Sequence, residues 1–461
     1  MTGTESPAKA LCLAIGLALS GLCGAAAQDD LFPIDEADLF ADTSSLRPQP
    51  GLDAPKPGGM QAASVPASAG ENADGNAERT LAFSGSVLAH TSGGLSRAYF
   101  EEPDIADASM ASGIVADGHL DARLLRGFKA YSTLEWGSDT VWRVPELFLD
   151  ANIAHRVYFR MGKQVLQWGR CQFFNPTDFV NVEAKTFFRR IGDREGAYGL
   201  KAHVPFGTSQ NIYAFLDMGG VTRPDSLSLA LKYETLLGGT EVAASVLAAP
   251  YRAEDLDFIY GLDFSSRVLG WDITGEGALH RRQTRYALSL GAAGEVPRFT
   301  RENLIWVPKA ALGLSRQFGV NGVPDRLLVL GEYYFNGAGS AQSELPWPDD
   351  FGSAMPVTDL TTLLLRSAVE AGYYRPNDYS RHYAALFTTF GRFLRSDIDL
   401  LFNAIGNINQ SCAQLSAGVA YRDINDFTLT FYLNGFVGGN AAEYTFTGTA
   451  LQAQLLAQVV F

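Results

Sequence analysis

The chain has 461 residues, a net charge of −14, 47% hydrophobic residues and a mean hydropathy of zero, so several soluble domains or one large barrel would fit. No stretch beyond the N-terminal leader reaches the ~18 consecutive apolar residues of a membrane helix, which excludes a helical membrane protein. No basic patch points to nucleic acid.

Residues 1–27 read as a secretory signal peptide. Lys9 supplies the positive start, Ala10 to Leu22 the apolar core, and Ala25-Ala26-Ala27 a small-residue cleavage site before Gln28. Cys23 raises a lipoprotein alternative, but Leu22 stands before it where a small residue is expected. Cleavage removes Cys12 and Cys23. Cys171 and Cys412 remain, either as one bridge or as two thiols.

Residues 28–79 are rich in Pro, Ala, Gly, Ser and acids, and between Gln28 and Glu78 ten acids stand against Arg47 and Lys56. Such a segment cannot bury enough apolar surface to fold and is expected to be a disordered acidic linker. Asp30-Leu31-Phe32 returns as Asp38-Leu39-Phe40, either by chance or as a short docking motif for a periplasmic partner.

From Thr80 the texture changes to alternating runs separated by Gly, Asp and Asn. Leu147, Leu149, Ala151 and Ile153 alternate with Glu146, Phe148, Asp150 and Asn152. Phe427, Leu429, Phe431 and Leu433 alternate with Thr428, Thr430, Tyr432 and Asn434. The polar sets carry acids and bases, and the apolar sets are continuous. That is the pattern of a transmembrane antiparallel β-barrel, apolar outside and polar around a wet lumen. Strands are expected near 80–92, 112–123, 128–137, 143–153, 155–165, 196–206, 209–220, 226–236, 239–249, 256–265, 269–280, 303–317, 325–337, 381–393, 396–405, 411–421, 425–437 and 451–461. That makes about eighteen, within a range of roughly sixteen to twenty. The runs 286–293 and 363–374 are taken as outer loops or strand extensions.

Short connections are expected near Ala154-His155, Gly207-Thr208, Gly238-Gly239, Arg395-Ser396 and Asp423 to Asn425, and long ones near 93–111, 166–195, 281–302, 338–380 and 438–450. Outer-membrane barrels have this asymmetry, with short periplasmic turns and long outer loops. The last run, Leu451 to Phe461, is apolar at every second residue with three glutamines between, and suits a tilted strand of roughly 9–11 residues. In lipid such a strand must pair, and only a closed barrel leaves no edge. Its final Phe461 also resembles the assembly signal of outer-membrane barrels, which implies the barrel-assembly machinery and the outer-membrane bilayer as partners.

The stretch from Tyr158 to Leu200 is the richest. It holds Arg160, Gly162, Gln164, Trp168-Gly169, then Asn175-Pro176-Thr177-Asp178, then Arg194-Glu195-Gly196. This pattern resembles a broad group of outer-membrane porin-like barrels, among them alginate-export-like porins and uncharacterised barrels, some from spirochaetes. The resemblance is strongest over about forty residues of this stretch. It implies fold and outer-membrane location, and hardly any substrate.

Read by itself, the stretch is a strand, a thirty-residue connection and a second strand, too long for a simple turn. Asn175 to Asp178 is turn chemistry. The connection carries Arg170, Lys185, Arg189, Arg190 and Arg194 against Asp178, Glu183, Asp193 and Glu195. Phe173, Phe174, Phe179, Phe187 and Phe188 would be costly in water. An inward fold that narrows the lumen is therefore favoured over an outer cap, and charged residues there would set solute preference. On the wall, a turn at Ala154-His155 sets Asp150 across from Arg160 and Glu146 across from Gln164, giving either a transverse field or a stiffening ion-pair ladder. Asp117, Asp121, Arg123, Lys129 and Glu135 share that face by parity, and Asp397 and Asp399 also point inward.

Catalysis has little support. The six histidines are scattered without metal-ligand spacing, and no serine stands in a strained glycine elbow. No metal or cofactor is expected. A fifty-residue tail is too short for the folded plug of the larger transporters. The expectation is a passive channel for small hydrophilic solutes. The alternative is a barrel serving as export or anchoring partner of a periplasmic component docked by the tail.

Overall fold

The structure is a computed structural model that describes residues 80–97, 100, 108–125, 128–138, 142–153, 156–166, 168–180, 196–219, 227–251, 255–289, 298–341, 377–394, 397–422, 426–439, 442–445 and 448–461. The signal peptide, the acidic linker and its repeated triplet lie outside these residues. So do the run 363–374, the turns at Ala154-His155, Arg395-Ser396 and Asp423 to Asn425, and Lys185, Arg189, Arg190, Asp193, Arg194 and Glu195.

Eighteen strands are described, in chain order β1 (Thr80–Ser96), β2 (Ala108–Leu125), β3 (Phe128–Gly137), β4 (Trp142–Ile153), β5 (Val157–Gln164), β6 (Ala197–Phe206), β7 (Gln210–Asp217), β8 (Ser228–Leu237), β9 (Thr240–Tyr251), β10 (Asp255–Val268), β11 (Trp271–Ser289), β12 (Arg298–Val320), β13 (Val323–Asn336), β14 (His382–Phe390), β15 (Ile398–Asn407), β16 (Cys412–Arg422), β17 (Phe427–Val437) and β18 (Thr449–Val460). Each pairs antiparallel with its neighbours in sequence, and β1 pairs with both β2 and β18, so the sheet closes. At the seam the Phe461 amide donates to the Gly85 carbonyl and the Gly85 amide to the Phe461 carbonyl, both at 2.9 Å. Among the described strands none is left as an edge to seek a partner.

Each expected strand has its counterpart, with ends moved by a few residues. The connection expected over 281–302 is mostly ladder instead. β11 and β12 continue to the pair Ser289–Arg298. Arg281, Arg282 and Arg285 suggest a loop, but the run to Ser289 contains no Pro or Gly to end pairing. Likewise 93–96 and 108–111 pair rather than loop. Gly207 and Gly238, in two of the expected tight turns, take positive φ of 63° and 65°, a conformation glycine adopts without steric cost.

Sidedness follows from the two-residue period. On β17, Phe431 and Leu433 are 46% and 41% exposed, whereas Thr430, Tyr432 and Asn434 are 7%, 2% and 1% exposed. On β18, Leu455 and Val459 are exposed, and Gln452, Gln454 and Leu456 are buried. On β4, Leu147 and Leu149 face out, and Phe148 faces in and is buried. An outward apolar surface of this extent belongs in lipid, and the inward set is the polar one.

A charge placed on the outer face is therefore expected to be costly. Leu433→Arg, at mid-strand on β17, should destabilise the barrel by about 2–4 kcal/mol, read as a lowered unfolding midpoint in vesicles. The same change at inward, half-buried Thr428 of the same strand should be milder.

Candidate functional site

The chain leaves the sheet at the end of β5. Gln164 is fully buried, and its amide donates to the carbonyls of Arg160 and Gly199, each at 3.2 Å. The Val165 amide then donates to Glu146 Oε1 at 2.9 Å. Glu146 thus meets the residue after Gln164, because the β4–β5 ladder ends at Leu147–Lys163. From Leu166 the segment runs across the inner face of the wall.

Its first anchor is apolar. Leu166, Trp168 and Val180 pack with Tyr213 and Phe215 of β7 and Ala230 of β8, and Trp168 has no solvent exposure. The Trp168 carbonyl accepts from Lys232 Nζ at 2.5 Å.

The second anchor is Arg170. Its guanidinium donates to Glu234 of β8 at 2.8 Å, Glu241 of β9 at 2.5 Å and Asp263 of β10 at 2.5 Å. Lys232 meets the other oxygen of Asp263 at 3.0 Å. Arg170 therefore holds the segment to three successive strands, and its side chain is only 11% exposed.

The third anchor uses two carboxylates as acceptors for main-chain N–H groups. Glu276 of β11 accepts the amides of Arg170 (2.5 Å), Cys171 (2.6 Å) and Thr177 (3.0 Å), the Thr177 hydroxyl (2.7 Å) and the Asn175 side-chain amide (3.3 Å). Glu332 of β13 accepts the amides of Gln172 (2.6 Å), Phe173 (2.9 Å) and Phe174 (3.0 Å). Hydrogen bonds to charged groups contribute roughly 1.5–3 kcal/mol each, offset by the cost of burying the charge. Gly169 fits this arrangement because a Cβ there would lie 2.6 and 2.8 Å from the two Glu276 oxygens.

Asn175 to Asp178 forms the expected turn. The Asp178 amide donates to the Asn175 carbonyl at 3.1 Å, and the Asn175 side chain turns back to the Cys171 carbonyl. Beyond Pro176 and Thr177, the Phe179 ring lies over Gly261 of β10. Phe173 and Phe174 enter an aromatic seam. Phe174 stacks on Tyr334 at 4.9 Å, and Phe173 meets Phe387 at 5.8 Å. Tyr334 donates to Asp378 at 2.7 Å, and Lys309 pairs with the same carboxylate at 3.2 Å. Nearby, Glu443 accepts the Tyr383 hydroxyl at 2.8 Å, the Asn407 amide at 2.7 Å and the Asn377 backbone at 2.9 Å.

On the wall from β2 to β6, Arg160 clasps Asp150 with bonds of 2.6 and 2.9 Å. Lys129 meets Asp121 at 2.9 Å, Arg143 meets Glu135 at 2.8 Å, and His119 meets Asp117 at 2.8 Å. Across the barrel, Asp399 is paired with Arg422. Glu234, Glu241, Asp263, Glu276 and Glu332 were not singled out from sequence. Their common signal is inward parity on β8 to β11 and β13, which marks them as lining but not as acceptors for one distant segment.

Cys171 and Cys412 are free thiols, both buried. Burial and, next, the Glu276 carboxylate push the Cys171 thiol well above its ordinary value. Among the described residues no group of His, Cys, Asp and Glu could hold a metal ion.

No protein-family model matches the chain, and no curated protein matches it in sequence. Among solved structures it is similar to OmpF of Salmonella typhi, crystallised with daunomycin (9% identity, TM-score 0.42, covering 83% of this chain and 98% of that one). It is also similar to OprD of Pseudomonas aeruginosa (8%, 0.45, 83% and 93%) and to a BenF-like porin of Pseudomonas fluorescens Pf-5 (8%, 0.46, 83% and 98%). The barrel rests on its own closed ladder.

Two variants test the latch. Glu276→Gln keeps the shape but loses the charge, and Gly169→Ala pushes a methyl into the same carboxylate. Each should loosen the segment by on the order of 2 kcal/mol or more. Cys171, unreactive toward maleimide in the folded wild type, should become labelled in both, while Cys412 stays protected.

Proposed function

We propose that the chain is an outer-membrane channel that passes small hydrophilic solutes by diffusion through a water-filled lumen narrowed by residues 166–195. The observation that supports it most is the pairing of an outward apolar wall with a segment latched across the inner one. Barrels of sixteen to eighteen strands are wide enough to leave an aqueous channel, so a segment laid inside one restricts the path without blocking it. In this reading residues 1–27 direct export, and 28–79 form a periplasmic tail. The likeness of the Trp168 to Asp178 stretch to alginate-export-like and spirochaete-type barrels is part of the same proposal.

Of the residues chosen from sequence, Arg160, Asp150 and Glu146 line the wall in this reading, and Arg170 fixes the segment. Asp178 and the charges over 185–195 set the width and field where the path is narrowest.

Planar-bilayer recordings test the reading. Wild type should give discrete conductance steps, and a variant lacking residues 169–192 should give steps larger by roughly twofold or more, because a lumen obstruction is gone. Unchanged steps would mean that the segment does not restrict the path. Absence of any conductance would overturn the channel.

A further inference from the structure

Arg316 breaks the pattern of the outer wall. On β12, Ala311 is buried and faces in, whereas Leu312 and Leu314 are 46% and 42% exposed and face lipid. The two-residue period puts Arg316 and Phe318 on that same outward face. The ladder partner of Arg316 on β13 is Val329. On the β11 side Asp272 pairs with Ser315, which brings Trp271 beside Arg316. None of these outward neighbours carries a charge. An arginine on such a face is costly at the bilayer midplane, and the cost becomes small near the boundary with water.

Arg316 stands at that boundary. Trp271 is the first residue of β11, directly after the turn Leu269-Gly270, and only Asn321-Gly322 separates β12 from β13. A Cβ at Gly270 would lie 3.6 Å from the Arg316 Cζ and Nη2 atoms, so the guanidinium reaches the β10–β11 turn. This is the end with short connections, periplasmic in the reading above.

The surroundings hold the guanidinium in place without filling its hydrogen bonds. Its Cζ lies 5.5 Å from the centre of the Trp271 ring and 4.9 Å from that of Phe318. The two rings meet edge to face at 5.9 Å. Cation–π contacts orient the group, but its N–H donors are made for oxygen acceptors. The inward Arg160, Arg170 and Arg422 have carboxylates for that purpose. No described carboxylate pairs with Arg316. Beside it Val268 and Leu269 are 48% and 89% exposed. Leu269 takes a positive φ of 52°, a conformation that disfavours any residue with a Cβ, and its apolar side chain stands out from the turn.

We propose that Arg316, Trp271, Phe318 and Leu269 form a binding site for one anionic glycerophospholipid, such as phosphatidylglycerol, in the adjoining leaflet. The guanidinium donates two parallel N–H bonds to the lipid phosphate. Trp271 and Phe318 lie along the glycerol, as rings at a membrane boundary do, and Val268 and Leu269 meet the first methylenes of an acyl chain. A zwitterionic lipid brings its own ammonium to its phosphate and gains less from the arginine. The inference goes beyond the channel reading and needs only the lipid-facing wall.

Tryptophan quenching in vesicles tests it. Purified protein is inserted into phosphatidylcholine vesicles carrying brominated phosphatidylglycerol or, in parallel, brominated phosphatidylcholine. Wild type should bind the anionic lipid about fivefold more tightly, the effect of one basic group at a membrane surface. Arg316→Gln should bring the ratio to about one, and Arg316→Lys, which keeps the charge, should retain most of it. Trp271→Phe keeps a ring beside the guanidinium and should remove the extra quenching, because the reporter at the site is gone. Inorganic phosphate should lower the ratio no more than potassium chloride of equal ionic strength. A specific loss in phosphate assigns the arginine to the free anion and overturns the lipid. Equal quenching by both lipids in wild type, or a preference that survives Arg316→Gln or Trp271→Phe, overturns the site. The wild-type ratio and Trp271→Phe keep the test decisive should Arg316→Gln fail to fold. The readout needs no conductance, so loss of this site and loss of the channel are told apart.

Discussion

A main chain placed where water cannot reach must find partners for every N–H and C=O group. Two parts of this molecule answer that demand in different ways. The eighteen strands answer it with one another, and the ladder closes where β1 meets β18. The segment after β5 lies inside the ring and has no strand beside it. Its amides instead converge on two carboxylates of the wall, Glu276 and Glu332. Trp168, Phe173 and Phe174 then fill the apolar recesses that these bonds bring within reach.

That solution has an electrostatic result. Buried acids are costly unless their lone pairs are filled. Here Arg170, Lys232 and the row of amides fill them. The inner wall is thus divided between a side whose acids are committed to holding the segment and a side, from β2 to β6, whose acids and bases pair with one another. Neither side can be read from the overall charge of the chain.

The strands were legible because alternation is local. Phe431, Leu433, Thr430 and Asn434 declare their faces within five residues, and a barrel preserves that pattern from end to end. The ends were less legible. Arg282 to Arg285 look like a loop by composition, yet they pair, because charges are tolerated on inward or water-facing ladder positions. The pairing of Asp150 with Arg160 also followed from local register. The anchors of the segment did not. Arg170 looks like any other charge of a basic stretch, and its partners Glu234, Glu241 and Asp263 lie 64 to 93 residues away. Glu332 is about 160 residues from the amides it holds. No periodicity reaches across such separations, although Trp168, Gly169 and Asn175 to Thr177 did mark where a special conformation would be needed.

The same separations tie the interior to the finished ring. The charged acceptors described for Arg170 to Thr177, from Glu234 to Glu332, sit on strands from β8 to β13. Whatever the order in which strands join, the seat is complete only when that whole arc of the sheet stands, so a defect in any one of those strands also unseats what lies inside.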